Sequence, residues 1–390
     1  MHGLTPTLTP HPMKILIINS EYPPIGGGAG TATANLARYL ADQRQDVKVI
    51  TVQFGNLPSI EQISGFEVLR IPALRERADR SSAGEQISFM LASLKYCVAH
   101  FQQWKPDACL AFFGIPNGIT AMLLKWIFKI PYIVSLRGGD VPGFRPYDFK
   151  RYHRLGAPLI KMVWRQSSGV VANSQGLRKL ALDFYQRIPI LTIPNGVDLE
   201  FYKPSARQWS PPHLLFIGRI VYQKGLDLLV EALGHLTHFG WDLTIVGDGS
   251  FKEFLLSKVD SLNLNERINF WGWHQKEELL PLLAKSNIFV NPSRHEGMPN
   301  AVLEAMACGL PIIASRIAGN EELITHRENG LIFEAENIAG LEAALKELLT
   351  NPELCAKMGH LSRRKVEEHF SWQDSGKQYL TLLRKSVERD

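Results

Sequence analysis

The sequence predicts an α/β protein made of two doubly wound, Rossmann-like domains facing each other across a cleft. Three observations carry this. Both halves of the chain alternate short, β-branched apolar runs with helical patterns; a proline-rich, aperiodic stretch at 194–212 separates them; and 390 residues amount to about two and a half domains of roughly 150 residues.

In the first half, residues 14–19 read as a strand, 30–43 as an Ala-rich helix and 47–52 as a second strand, a βαβ opening. The alternation continues with strands at 108–112, 132–136 and 169–172 and helices near 84–103, 117–128 and 175–183. Strands this apolar are covered on both faces, which calls for a parallel sheet between helical layers. After the linker, strands are read at 213–217, 242–246, 267–270, 288–291 and 311–314, with helices near 225–238, 251–262, 276–285 and 300–308. From Ile338 onward the pattern is almost wholly helical, ending in 372–385.

Several classes fall away. The 45% apolar and 21% charged composition is that of a globular chain. The apolar run at 121–130 is broken by Lys125 and Lys129, and no stretch approaches the roughly 18 residues of a membrane span. Residues 1–12 are neither basic nor apolar enough for a secretory signal, so a disordered lead-in to a cytoplasmic protein is expected. Cys97, Cys109, Cys308 and Cys355 form no CxxC and have no histidine at ligand spacing, which predicts buried thiols rather than zinc or disulfides. The net charge of +5 hides an asymmetry: residues 1–190 hold 22 Lys and Arg against 12 Asp and Glu, while residues 191–390 hold 21 against 26. The first half should therefore meet something anionic: nucleic acid, acidic lipid or an acidic substrate.

Directly after the first strand comes Pro23-Pro24-Ile25-Gly26-Gly27-Gly28-Ala29-Gly30, then a helix. Glycines there let backbone approach a ligand, and the helix N-terminus favours an anion. A dinucleotide fingerprint fails, because a third glycine would have to stand at Thr31 or Thr33, and the second strand ends without an acidic residue; no P-loop motif exists. A tight turn with no ligand is the alternative. In the second half, Gly218-Arg219 and Lys224-Gly225 bracket the turn after a strand, placing two cations where open α/β sheets bind ligands. Arg offers a planar fork and Lys a point charge to a diphosphate leaving group; alternatively both are surface charges. Further on, Glu296 lies in a loop, Pro299 opens a helix and Glu304 sits inside it. The N–H groups of Gly297, Met298 and Asn300 can bind phosphate, and the two carboxylates can accept from sugar hydroxyls.

Taken in order, the PPIGGGAG loop, the NSQGL segment at Asn173, the Pro194-Asn195-Gly196-Val197-Asp198 hinge, the GRI-x-x-QKG turn and the Glu296-x7-Glu304 pattern flanked by EAMACGLPIIAS resemble the retaining GT-B glycosyltransferases of family 4, from Met13 to nearly the end. The resemblance implies a GT-B enzyme moving a hexose-type sugar from a UDP- or GDP-linked donor to a hydroxyl of a glycan or lipid-linked acceptor. It implies that Arg219 and Lys224 hold the donor diphosphate, Glu296 contacts the donor sugar, Glu304 binds the ribose, and Gly27 and Gly28 close over the phosphates. Residues 13–193 with 372–390 should form the acceptor-side domain and 194–371 the donor-binding domain, with no metal or other cofactor.

One departure stands out. Where many relatives carry a histidine, this chain reads Arg137-Gly138-Gly139-Asp140. Arginine stays protonated and cannot act as a base; in a front-face retaining transfer the departing phosphate could take the acceptor proton, leaving Arg137 and Asp140 on the acceptor side, with Arg137 holding a sugar or phosphate oxygen. The segment 144–167 interleaves Arg145, Lys150, Arg151, Arg154, Lys161 and Arg165 with Phe149, Tyr152, Leu155 and Trp164. That suits an anionic membrane surface, a lipid-linked acceptor and polysaccharide or lipopolysaccharide assembly. Gly156-Ala157-Pro158 argues against one continuous helix there. A nucleotide-sugar epimerase and a non-catalytic nucleotide-sugar-binding protein are the alternatives; nucleic acid is disfavoured for want of any motif.

Overall fold

A computed structural model describes residues 11–78, 81–144 and 146–389. Residues 1–10 of the expected lead-in and Arg145 lie outside the described residues, as do the side chains of Phe149, Lys150, Arg151 and Tyr152.

Two sheets carry the structure. The first comprises β1 (Lys14–Ile18), β2 (Asp46–Val52), β3 (Ile60–Ile63), β4 (Phe66–Ile71), β5 (Ala108–Phe112), β6 (Tyr132–Leu136), β7 (Gly169–Ala172) and β8 (Ile190–Thr192). Their order is β3-β4-β2-β1-β5-β6-β7-β8, parallel except for the β3/β4 hairpin. The second comprises β9 (His213–Ile217), β10 (Asp242–Val246), β11 (Ile268–Gly272), β12 (Ile288–Asn291), β13 (Ile312–Ser315) and β14 (Gly330–Phe333), ordered β11-β10-β9-β12-β13-β14 and wholly parallel. Successive residues of one strand serve opposite faces. Leu16 and Ile18 pack with Ile50 and Trp164, whereas Ile15 and Ile17 pack with Leu36 and Leu383. Likewise Leu214 and Phe216 join Leu229 and Leu345, and Leu215 joins Val302 and Met306. Burial on both faces is the reason these strands read as unbroken apolar runs.

In both sheets the strand order reverses beside the first strand, between β1 and β5 and between β9 and β12. Such switch points open crevices at the carboxyl ends of the strands. The glycine-rich turn follows β1, and the loops carrying Arg219 and Glu296 follow β9 and β12, so the candidate residues stand at these two crevices. The last helix, Trp372–Arg389, returns to the first sheet: Trp372, Tyr379 and Leu383 pack with Ile15, Ile17 and Phe112. The chain crosses at Gly196, where a Cβ would lie 2.3 Å from Trp372 N.

The segment after β6 departs from expectation. One helix spans Pro146–Gln166 with Pro158 inside it. Interior proline costs about 3 kcal/mol, but Ile160, Val163 and Trp164 are all buried below it, and full burial of such side chains contributes roughly 1.5–3 kcal/mol each. Pro158 itself is exposed, where water can serve the carbonyl that loses its partner. The β3/β4 hairpin, β8, β14 and the short helix Ala318–Glu321 are additions to the elements read from sequence. Among the described residues no helix is long and apolar enough to cross a membrane.

Candidate functional site

The turn after β9 is shaped by one glycine. Gly225 has φ of +66°, and a Cβ on it would lie 2.1 Å from Pro292 O. Only glycine satisfies both conditions, and the resulting close approach lays the turn Tyr222–Lys224 against the loop that follows β12. Lys224 Nζ thereby pairs with Glu296 Oε1, both side chains being largely buried. Ser293 Oγ lies 2.8 Å from the same carboxylate oxygen and 2.9 Å from Asn291 Oδ1, and the Ser315 hydroxyl donates to Ser293 O.

Arg294 fastens the two loops from behind. Its guanidinium makes a fork to Asp227 at 2.9 and 2.8 Å, reaches Glu336 Oε1 at 2.9 Å and Tyr222 O at 2.7 Å, and stacks 3.9 Å from the Tyr222 ring. Burial alone would lower its pKa, but the hydrogen bonds to Asp227 and Glu336 hold it above its ordinary value. Backbone adds to the joint, with Arg294 N donating to Gln223 O at 2.8 Å and Gln223 Nε2 to His295 O at 2.6 Å.

What this scaffold presents is unspent positive potential. The Arg219 guanidinium has no hydrogen bond or ion pair among the described residues, nor do the amides of Gly297 and Met298 just before the helix Asn300–Ala307. A helix N-terminus with free N–H groups, one unpaired guanidinium and a lysine whose single partner is a carboxylate can receive a diphosphate.

Glu304 stands one turn beyond Asn300, in an adjoining pocket with Asp198, Tyr202 and Lys276 and with Thr31 from the first domain. Burial pushes its carboxyl up to about 7, while Lys276 and the Tyr202 hydroxyl pull it back. Burial lowers the Lys276 ammonium, which Asp198 and Glu304 raise. That ammonium lies 4.0 Å from Asp198 Oδ2 and 4.0 Å from the centre of the Phe201 ring. The Tyr202 hydroxyl is buried beside the Glu304 carboxyl, and burial first and that carboxyl second drive its pKa up. The structure thus gathers Gly218, Arg219, Lys224, Glu296 and Gly297 through Asn300 at one edge and sets Glu304 beside them. It adds Ser293, Arg294, Tyr202 and Lys276, none of which stood out in sequence; of these, Lys276 alone had a local signal, a cation opening a helix one strand-loop away from the cleft.

From the first domain, Gly27 N donates to Glu21 Oε2 at 3.2 Å, and Gly28 O accepts from Asn300 Nδ2 at 3.2 Å. Asn300 Oδ1 accepts from Asn195 Nδ2 at 2.7 Å, and Asn195 Oδ1 accepts from Arg137 at 2.6 Å. The Arg137 side chain is therefore held at the hinge. It also donates to the Tyr379 hydroxyl at 3.4 Å and lies 4.2 Å from the Phe112 ring. Burial lowers its pKa, with Tyr379 and Asp140 opposing. Asp140 is equally occupied, its carboxylate accepting from the amides of Gly114 at 2.8 Å and of Arg137 and Gly138 at 3.0 Å. Burial raises its pKa and these amides lower it. Both residues expected on the acceptor side thus hold loops in place. Among the described residues no three His, Cys, Asp or Glu side chains are grouped to hold a metal ion.

Comparison with known proteins agrees with this geometry. The family described as Glycosyltransferase Family 4 matches residues 26–201, and that described as Glycosyl transferases group 1 matches residues 200–365. The glycogen synthase of Mycobacterium tuberculosis is 25% identical over 381 residues, 93% of this chain and 92% of that one. Sucrose-phosphate synthase from Thermosynechococcus elongatus superposes with a TM-score of 0.86 at 20% identity, covering 97% of this chain and 100% of the other. Anabaena HepE, solved in complex with UDP-glucose, gives 0.76 at 18% identity, covering 96% and 100%.

Proposed function

Because the chain is a glycosyltransferase of family 4, built on the GT-B fold and moving sugar from a nucleotide-sugar donor, we propose that it is a retaining hexosyltransferase using a UDP- or GDP-linked donor. The carrying observation is the unspent anion site, in which Arg219 and the amides of Gly297 and Met298 stand without partners among the described residues, beside the Lys224–Glu296 pair. On this reading Arg219 and Lys224 neutralise the diphosphate as it leaves, Glu296 orients the sugar and Glu304 receives the ribose hydroxyls. The C1–O bond to phosphate breaks, the acceptor oxygen bonds C1 on the same face, and the acceptor proton passes to the departing phosphate oxygen. Arg137 and Asp140 leave that route open, since one is a cation bound to the hinge and the other is held by three amides.

The acceptor is a glycan or lipid-linked hydroxyl, in polysaccharide or lipopolysaccharide assembly on the cytoplasmic face of a membrane. Its support is the helix Pro146–Gln166, which exposes Arg154 and Arg165, with Leu155 84% exposed. The test is release of UDP or GDP from the matching hexose conjugate in the presence of acceptor, with retention of anomeric configuration in the product. In Arg219→Ala, kcat should fall by about 10²–10³ with the melting temperature unchanged; an Arg219→Ala enzyme of parental kcat would refute the assignment.

A further inference from the structure

Asn173 follows β7 directly, and its side chain is an anomaly for a closed, well-packed crevice. The residue is 4% exposed, its Oδ1 is buried with no partner, and its Nδ2 makes no hydrogen bond either among the described residues. Native structures rarely leave a buried amide unsatisfied, and the exceptions ask for an explanation. The backbone around it is firmly held: Ser174 Oγ caps the helix Gln175–Phe184 by accepting from Leu177 N at 3.1 Å, and Gly176 N donates to Glu322 Oε1 of the second domain at 2.9 Å. Asn173 thus belongs to an ordered junction between the domains, and its amide is unpaired for some reason other than looseness.

Its position supplies the reason. A Cβ built on Gly297 would lie 3.3 Å from Asn173 Oδ1 and 3.5 Å from Nδ2, so the amide faces, across the domain gap, the loop residue that follows Glu296. We propose that Asn173 is a sugar-reading residue, a first-domain amide that hydrogen-bonds a hydroxyl of the donor hexose held at Glu296 and Gly297. The chemistry favours a hydroxyl over a phosphate. A free amide offers a donor and an acceptor at once, and a hydroxyl answers both, whereas a phosphate oxygen only accepts and would leave Oδ1 unmet. The assignment rests on the donor reading above and deepens it: the second domain holds the nucleotide diphosphate, and the first domain identifies the sugar.

The experiment measures dissociation constants of UDP and UDP-glucose, and of GDP and GDP-mannose, for the parent, Asn173→Ala and Asn173→Leu, together with melting temperatures without ligand. For the pair that the parent binds, the variants should keep the bare nucleotide's affinity within about twofold while affinity for the sugar conjugate falls about tenfold, the worth of one neutral hydrogen bond. Their melting temperatures should equal or exceed the parent's, because the change removes an unsatisfied buried amide. Unchanged discrimination between conjugate and nucleotide overturns the proposal. So does a lowered melting temperature with both affinities falling alike, which marks a structural residue. Absence of binding by the parent itself overturns the donor reading, and this inference with it.

Discussion

Replacing Arg294 by methionine removes the guanidinium that joins the loops carrying Lys224 and Glu296, and the size of the effect follows from its surroundings. The Arg294 side chain is 8% exposed and Asp227, which it forks, is 16% exposed; breaking a buried pair on one side typically costs 3–5 kcal/mol. Glu336 is 61% exposed, so that arm adds at most about 1 kcal/mol. Water can partly reach Asp227, and methionine retains the packing of the aliphatic stem, so the lower end, about 3 kcal/mol, is expected. For a domain of this size that is a fall of roughly 6–12 °C in its melting transition. Activity should fall further than stability demands. Losing the bond to Tyr222 O loosens the turn that aims Lys224, and displacement of about 1 Å at a reacting centre can cost roughly a hundredfold. Arg294→Lys keeps the charge without the fork and should recover only part of either loss. The assay is thermal unfolding followed by tryptophan fluorescence, paired with kcat for nucleotide release at temperatures where both proteins are folded. A methionine variant melting within 2 °C of the parent with parental kcat would show that the Arg294 network neither stabilises nor positions, and the reasoning would fail.

Gly225→Ala should destabilise the second domain by about 2 kcal/mol or more, through the positive φ together with the clash on Pro292 O, and should depress kcat with it; a soluble, fully active alanine variant with the parent's melting temperature would contradict this. Glu304 makes the protein pH-sensitive in a defined direction. Its carboxyl is raised from 4.5 to about 7 in the folded state, so between those values the folded protein keeps a proton that the unfolded chain has lost, and stability contributed at this site falls as pH rises through that window. Glu304→Gln should flatten this slope in chemical unfolding measured from pH 4.5 to 7.5. Nucleotide binding should show the opposite trend, tightening as pH passes 7 because the carboxylate is the better acceptor for ribose hydroxyls. Isothermal titration at pH 6 and 8 that finds the same pH response in parent and glutamine variant would remove Glu304 from the ribose site.

The fold class was legible because its signal is local and repeated. Strands buried on both faces announce themselves as apolar runs, and alternations repeated through both halves of the chain outweigh any single misreading. What escaped was short or half-exposed. β3 is a four-residue edge strand with no buried residue, its only clear cue being Ser64-Gly65, both at positive φ in a primed turn; β8 and β14 are three and four residues long. Pro158 misled because local propensity was set against a packed face that propensity cannot see. In the site, Arg219 with Lys224 and Glu296 with Glu304 could be read because each pair sits within one turn or one loop-helix unit. Arg294 and Asp227, 67 residues apart, could not, and neither could Arg137 and Tyr379, separated by 242. The His-to-Arg departure was visible, but its consequence depends on a hinge residue and on the last helix, whose proximity only the fold creates.

That departure also bears on how the cleft works. Each domain has its own apolar cores, whereas the bonds named here that cross between domains are few and polar: Asn300 to Gly28, Arg137 to Asn195, and Gly176 to Glu322. Interfaces of that kind let domains move as units, and the pivot must lie where the chain crosses, at Gly196 packed against Trp372 and at Val197 N donating to Phe370 O at 2.9 Å. Arg137 grips this pivot from both sides, through Asn195 on the outgoing chain and Tyr379 on the returning helix, and Asn195 in turn holds the side chain of Asn300 at the head of the helix Asn300–Ala307. A neutral histidine at position 137 lacks the fork that spans both partners. In this chain Arg137 is bound to the joint, so its substitution should alter how the domains move relative to one another before it alters the chemistry inside the cleft.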